Sequence, residues 1–199
     1  MNRPAISVLG INAAYTKKGP VGQMLEEALD ACTQWIEGGG YQYAARVEAI
    51  HLADIMEGFT CPQQGEIPGY LQETADKLLH ADAVIFATPV FWSMPSALLV
   101  QFFADITPFE CDGDFPLRGK AAGVIAHCDE DGCEKVVNDV MTPLRHLGFI
   151  MPPHAGFWRN RTAARFSENE WQLHDHTHVL ASNLIELAIA RKQGNPNWR

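Results

Sequence analysis

Ala83-Val84-Ile85-Phe86-Ala87-Thr88-Pro89-Val90-Phe91-Trp92-Ser93-Met94-Pro95-Ser96-Ala97-Leu98 is the stretch whose reading decides the fold. Its first five residues form an unbroken apolar run, which reads as a strand buried on both faces. Thr88-Pro89 ends that run. Pro95 suits the first turn of a helix that carries Leu98, Leu99, Phe102 and Phe103 at helical spacing. A strand covered on both sides and followed by such a helix is a piece of a parallel α/β sheet.

The same alternation extends outward in both directions. Ala5 to Gly10 is a short apolar strand, and Met24, Leu25, Ala28, Leu29 and Cys32 follow at helical spacing to about Trp35. Gly38-Gly39-Gly40 stops that helix. Val47 to Leu52 reads as a second strand, and a surface loop from Gly58 to Gly69 leads to a helix over Leu71 to Leu79. Ala121 to Ala126 is the fourth strand. The helix after it ends near Leu147-Gly148, and Pro143 is expected to kink or restart it. Phe149 to Trp158 holds a last strand interrupted by Pro152-Pro153, and Trp171 to Ile189 closes the chain as a helix. Five strand–helix units with continuous apolar strands give an α/β sandwich, with helices on both faces of a parallel sheet. No repeat or linker divides residues 1–199, so one domain is expected.

Composition agrees. Hydrophobic residues are 47% and charged residues 20% of 199, which excludes a disordered or fibrous chain. A formal charge of −9 argues against nucleic acid or an anionic membrane surface as partner. No apolar run is long enough to span a bilayer. A soluble, cytoplasmic protein is the expectation, and the five cysteines are read as reduced thiols. Cys128 and Cys133 are spaced too loosely to indicate zinc or redox chemistry.

In open parallel sheets, ligands bind beyond the carboxyl ends of the strands. The loop after the first strand contains Asn12, Tyr15, Thr16, Lys17, Lys18 and Gly22, directly before a helix. N–H groups at a helix start favour an anion, and the two lysines add charge; a solvated loop is the alternative. Neither G-x-x-x-x-G-K-[ST] nor G-x-G-x-x-G is present, against a P-loop or dinucleotide domain. Phe91 and Trp92, set between prolines, suggest a flat aromatic ligand, the alternatives being a core cap or a subunit interface. In the fourth loop, His127-Cys128-Asp129-Glu130-Asp131-Gly132-Cys133, the carboxylates either cap the next helix or line the pocket. Consecutive residues rarely converge on one ion, so no metal is assigned there. His174, His176 and His178 cannot all face one ion from a helix. Arg159, Arg161 and Arg165 form a small basic cluster, open to either a surface role or a phosphate.

From Ala83 to Leu98 the sequence resembles the NAD(P)H-dependent FMN reductase branch of the flavodoxin-like proteins, which carry Thr-Pro-x-Tyr-Trp-Gly or a variant after a strand. The resemblance implies a flavodoxin-like three-layer sandwich, with a five-stranded parallel sheet in the order 2-1-3-4-5 and FMN at the switch point. Carried over by position, Asn12 and the segment holding Tyr15, Thr16, Lys17, Lys18 and Gly22 would bind the FMN phosphate. Pro89, Val90, Phe91, Trp92, Ser93 and Met94 would wrap the isoalloxazine, while His127, Asp129 and Gly132 would close its other side. The implied activity passes hydride from NAD(P)H to the flavin and electrons onward to a quinone, flavin, nitro or azo compound, or metal ion. No side chain would act as nucleophile or obligate acid–base pair. A homodimer or homotetramer is the implied assembly. A flavodoxin-type electron carrier and a cofactor-free binding module stand as alternatives.

Overall fold

The computed structural model describes residues 3–56, 66–111, 115–164 and 171–194. In chain order the elements are β1 (Ala5–Asn12), α1 (Pro20–Gly38), β2 (Ala44–His51), α2 (Leu52–Ile55), α3 (Gln72–His80, entered through a 3-10 turn at Gly69–Leu71), β3 (Ala83–Phe91), β4 (Met94–Pro95), α4 (Ala97–Asp105), α5 (Pro108–Cys111), β5 (Ala121–Cys128), α6 (Cys133–His146), β6 (Gly156–Asn160), α7 (Arg161–Ala164) and α8 (Trp171–Gln193). The long strands pair in the order β2-β1-β3-β5-β6, all parallel. That is the expected five-strand order, with the two-residue β4 added antiparallel to β3.

Strand alternation distributes the core over two faces. Leu9, Ile11, Val84, Phe86, Val124 and Ala126 point to one cluster, covered by α3, α4 and α6. Ile6, Val8, Ile85, Ala87 and Ile125 point to the other, covered by α1 and α8. Phe86 is fully buried, its ring 5.7 Å from Phe103 and 5.9 Å from Phe149. The register sets Asn12 beside Ala87 and Pro89 beside His127, so the loops after β1, β3 and β5 leave the sheet at one edge.

Four expectations need correction. β3 does not stop at Thr88-Pro89 but continues to Phe91: the β1 ladder ends at Ala87, so no β1 partner needs a proline N–H, while β5 pairs with β3 as far as Pro89 and Met94-Pro95 pairs with Val90 and Phe91. α6 does not restart at Pro143 but runs through it to His146; the proline falls in the last turns, and the carbonyl it leaves free belongs to exposed Asp139. The final strand begins only at Gly156, after the N–H-less Pro152-Pro153; ahead of them, Ile150 makes a single parallel bridge to Ala121. Cys128 and Cys133 are not free thiols but a disulfide, with Cα atoms 5.9 Å apart. The turn from β5 into α6 folds the chain back on itself, so five positions of sequence become a distance a disulfide can span. Cys32 is free and buried, and burial pushes its thiol pKa up to about 12. Cys61, Arg165, most of the Gly58–Gly69 loop and the side chains of Cys111 and His174 lie outside the described residues.

At the opposite edge, buried Lys120 donates from Nζ to the Leu79 and Ala81 carbonyls at 2.7 and 2.6 Å, closing the end of α3. Burial, helped by the Arg191 charge, lowers its pKa from 10.5 to about 8. Between those values the folded chain sheds a proton that the unfolded chain keeps, so stability rises with pH across that window. Relative to Lys120→Met, the wild type should gain on the order of 3 kcal/mol from pH 8 to 10.5 and nothing below pH 8. Urea midpoints of the two proteins against pH measure this.

Candidate functional site

The loop after β1 begins on a fixed floor. Ala13 donates its N–H to the Ala87 carbonyl at 2.8 Å, and its own carbonyl accepts from Ser96 Oγ at 2.7 Å. The Ala14 N–H goes to Asn12 Oδ1 at 3.0 Å, and the Ala14 carbonyl meets His51 Nε2 at 2.8 Å. Asn12, Ala13, Ala14, His51 and Ser96 are all buried. Beyond that floor, Tyr15, Thr16, Lys17 and Lys18 are exposed. Gly19 is the N-cap of the 19-residue α1 and Pro20 follows it; no side chain caps the helix and no acid stands in its first turn. The first N–H groups of α1 are thus left to solvent or a ligand. Gly22 brings α1 against the loop: a Cβ there would lie 2.0 Å from the Lys17 carbonyl oxygen. Lys17 Nζ stands 3.5 Å from Asp54 Oδ2. The Asp54 carboxyl is held below its usual range, chiefly by its hydrogen bond with His51.

Past the end of β1, β3 becomes one arm of a hairpin. Phe91 pairs with Met94 and Val90 with Pro95, and the turn between them is Trp92-Ser93. Both turn residues are left-handed, with φ of +54° and +56°, as a two-residue type I′ connection requires. Each costs about 1–2 kcal/mol for a residue other than glycine. The contacts that hold this conformation come from neighbouring elements. Lys135 Nζ donates to the Ser93 carbonyl at 3.2 Å. Thr88 Oγ1 accepts the Ser96 N–H at 3.0 Å, while Ser96 Oγ caps α4 by accepting from Leu99 N–H at 3.3 Å. Trp92 projects from the tip, 93% exposed. Phe91 turns toward the loop after β1, its ring 6.0 Å from that of Tyr15. Pro89 and Val90 are half-buried and Met94 is exposed.

The loop after β5 is fastened on three sides. The Cys128–Cys133 disulfide joins its ends. The Asp129 carbonyl accepts from Thr162 N–H at 3.0 Å and from Thr162 Oγ1 at 2.5 Å, and the Glu130 carbonyl accepts from Asn160 Nδ2. On its third side, Gly132 presses on the hairpin, where a Cβ would meet Ser93 Oγ at 2.4 Å and Ser93 Cα at 2.9 Å. The acids do not cap α6: its N-cap is Gly132, and Asp129 Oδ1 pairs with Arg161 Nε at 2.8 Å. Arg161 is therefore engaged with the acidic loop. His127 is half-buried, and burial lowers its pKa from the ordinary histidine value.

Three loops, each held by side chains from a neighbouring element, meet at the β1–β3 switch point, where open parallel sheets form their ligand crevice. An uncapped helix start beside Lys17 and Lys18 suits a phosphate, and the Tyr15–Phe91 pair with the Ser93–Gly132 contact suits a planar ring. FMN fits this combination. A cleft of about 300 Å³, lined by Ser7, Arg46, Glu48, Lys77 and His80, lies away from these loops, nearer the amino ends of the strands. Its charges answer one another, Lys77 pairing with Glu48 and with Glu73, so it reads as a solvated ionic surface. Among the described residues no three metal-ligating side chains converge, and no helix is long and apolar enough to cross a membrane. His176 and His178 are exposed on α8. The sequence reading passed over Ser96, His51 and Lys135. A serine ahead of a helical run is an N-cap signal for the first; the other two emerge only from strand register and loop packing.

Architecture and crevice together define a flavodoxin-like protein. The chain matches the model of the NADPH-dependent FMN reductase family over residues 6–163, and it belongs to that family. Among curated proteins it is 30% identical over 117 residues to the 8-demethyl-8-aminoriboflavin-5′-phosphate synthase of Streptomyces davaonensis, covering 55% of this chain and 46% of that protein. The chain thus matches about half the length of that relative. Its fold is similar to that of an oxidoreductase from Corynebacterium diphtheriae, with TM-score 0.75 and 18% identity over 95% of this chain and 99% of that one. It is also similar to RosB, solved with bound 8-demethyl-8-formylriboflavin-5′-phosphate, with TM-score 0.71 and 19% identity over 95% and 81% of the two chains.

Proposed function

We propose that the chain is an NAD(P)H-dependent oxidoreductase that holds FMN non-covalently in the crevice and reduces a small acceptor such as a quinone, a free flavin, or a nitro or azo compound. The observation that carries this reading is the uncapped start of α1, flanked by Lys17 and Lys18 and facing the aromatic hairpin of β3. Bound FMN supplies two-electron chemistry between nicotinamide and acceptor. The chain's own part is to bind, orient and shield. Asn12, Thr16, Lys17, Lys18 and the α1 amide groups take the phosphate, and Gly22 lets the loop close on them. Pro89 to Met94 form one border of the ring, with the Ser93 N–H group as donor. His127, Asp129 and Gly132 belong to the opposite border, where Asp129 acts through its bond to Arg161 rather than by touching ligand. Tyr15, Phe91, Trp92 and Met94 expose apolar surface around the crevice, which supports a homodimer or homotetramer joined near the site.

The test is the absorption spectrum of the purified chain, followed by NAD(P)H oxidation with a quinone. A yellow protein with about one FMN per chain and steady turnover is expected. A chain that cannot be loaded with FMN overturns the reading, and FMN binding without turnover makes it an electron carrier. The double substitution Phe91→Ala with Trp92→Ala should weaken FMN retention by about tenfold, most of it through Phe91. Unchanged retention would place the ring elsewhere.

A second reading rests on the Streptomyces relative, whose name makes a flavin phosphate its product. On that reading FMN is the substrate, and the same crevice presents the ring for modification. Mass spectrometry of the flavin recovered after turnover separates the two: unchanged FMN supports the reductase.

A further inference from the structure

We infer that His51 is a positioning residue of the proposed phosphate loop, and that it works as the imidazolium, so FMN binding is proton-linked through a group that never touches the ligand. The inference rests on the FMN reading above. His51 is the last residue of β2, in register with Asn12, and it is buried beneath the loop after β1. Its Nε2 lies 2.8 Å from the Ala14 carbonyl and its Nδ1 lies 3.2 Å from Asp54 Oδ1. A carbonyl oxygen and an ionised carboxylate can only accept. A neutral imidazole carries one N–H and would leave one of these contacts with two lone pairs facing each other. Only the doubly protonated ring donates to both at once.

The consequence reaches the ligand through two arms. Donation to Ala14 keeps that carbonyl turned into the protein, so the loop offers N–H groups rather than oxygen to an anion. Donation to Asp54 anchors the carboxylate that stands 3.5 Å from Lys17 Nζ. When the ring loses its proton, Asp54 faces a lone pair and moves, taking with it the anchor that orders Lys17. The charged groups around His51 are Asp54 from α2 and, behind it, Lys17 from the loop; β1 presents the uncharged Asn12 opposite. The Asp54 carboxyl is held below its usual range, chiefly by the His51 hydrogen bond, so Asp54 is the accepting partner of this pair.

The test titrates FMN and riboflavin into the flavin-stripped full chain and into His51→Gln, from about pH 5.5 to pH 8.5. Comparison with the variant cancels the titration of the FMN phosphate itself. At the acid end the wild type should bind FMN about tenfold more tightly than His51→Gln, and this ratio should fall toward one as pH rises. Riboflavin, which lacks the phosphate, should bind both proteins equally at every pH. A ratio that does not change with pH, or an equal loss for riboflavin, would make His51 a structural residue only and overturn the inference while leaving FMN binding intact. Failure of the wild type to bind FMN at any pH overturns the reading beneath it as well. Should His51→Gln not fold, nitrogen NMR of the FMN-loaded wild type decides. Both His51 ring nitrogens protonated at the acid end, with a titration that tracks FMN affinity, supports the proposal; a singly protonated ring throughout overturns it.

Discussion

Gly22→Ala is expected to weaken FMN binding by about a hundredfold, the effect of roughly 3 kcal/mol of overpacking placed at the ligand's charged end. The added methyl would stand 2.0 Å from the Lys17 carbonyl oxygen and 3.1 Å from Asn12 Nδ2. Neither neighbour yields cheaply. Asn12 is buried and its Oδ1 holds the Ala14 N–H, so its amide cannot swing away without breaking the turn. The Lys17 carbonyl is main chain, and moving it by more than an ångström carries Lys17 and Lys18 with it. α1 is likewise pinned, since Val21, Met24 and Leu25 are buried against the sheet. The strain therefore falls on the loop that is proposed to receive the phosphate. The control is Gly38→Ala, where an added Cβ meets nothing within 4 Å. That variant should bind FMN normally and gain about 0.4–1 kcal/mol of stability. Equilibrium dialysis of FMN and thermal melts of both variants check the pair. Normal FMN affinity in a folded Gly22→Ala protein would show that the phosphate does not use this loop.

The elements that the sequence made legible are those whose geometry is local. Continuous apolar runs such as Ala83 to Ala87 and Ala121 to Ala126 mark strands covered on both sides, and five of them with helices between leave few topologies. The crevice follows from where strands end. What stayed hidden depends on contacts between distant segments. Thr88-Pro89 looks like a terminator, yet β3 runs on because the hairpin partner Met94-Pro95 supplies new pairing. Trp92 and Phe91 are adjacent in sequence and look like a matched pair. The type I′ turn parts them, sending Trp92 out at the tip while Phe91 meets Tyr15. Asp129 reads as a helix cap by position, but Arg161, arriving from the end of β6, gives its carboxylate a better partner than the α6 amide groups. Cys128 and Cys133 are close only because a strand, a tight turn and a helix bring them so. His51 carries no signal at all in the sequence, since its role comes from the β1–β2 register.

Gly132→Ala should be the more damaging change to the ring side of the crevice. Two penalties act together. With φ at +81° the residue is left-handed, which costs an alanine about 1–2 kcal/mol before any contact is counted. The methyl would then lie 2.4 Å from Ser93 Oγ, 2.8 Å from its Cβ and 2.9 Å from its Cα. The hydroxyl can rotate aside, but the Cα belongs to a hairpin turn already held in a costly conformation. Relief by moving the loop instead is blocked on its far side, where Thr162 and Asn160 grip the Asp129 and Glu130 carbonyls and the disulfide joins the loop's ends. The turn must therefore give way. Lys135 then loses its bond to the Ser93 carbonyl, and Phe91 and Met94 lose their register. Global stability should fall by about 2–4 kcal/mol, and FMN retention by at least tenfold. The loss should be as large for riboflavin as for FMN, because the damage lies at the ring; Gly22→Ala, by contrast, should penalise FMN far more than riboflavin. Parallel flavin titrations of the two variants thus locate each end of the ligand. An equal pattern of losses in both would contradict the assignment of phosphate to the β1 loop and ring to the β3 hairpin.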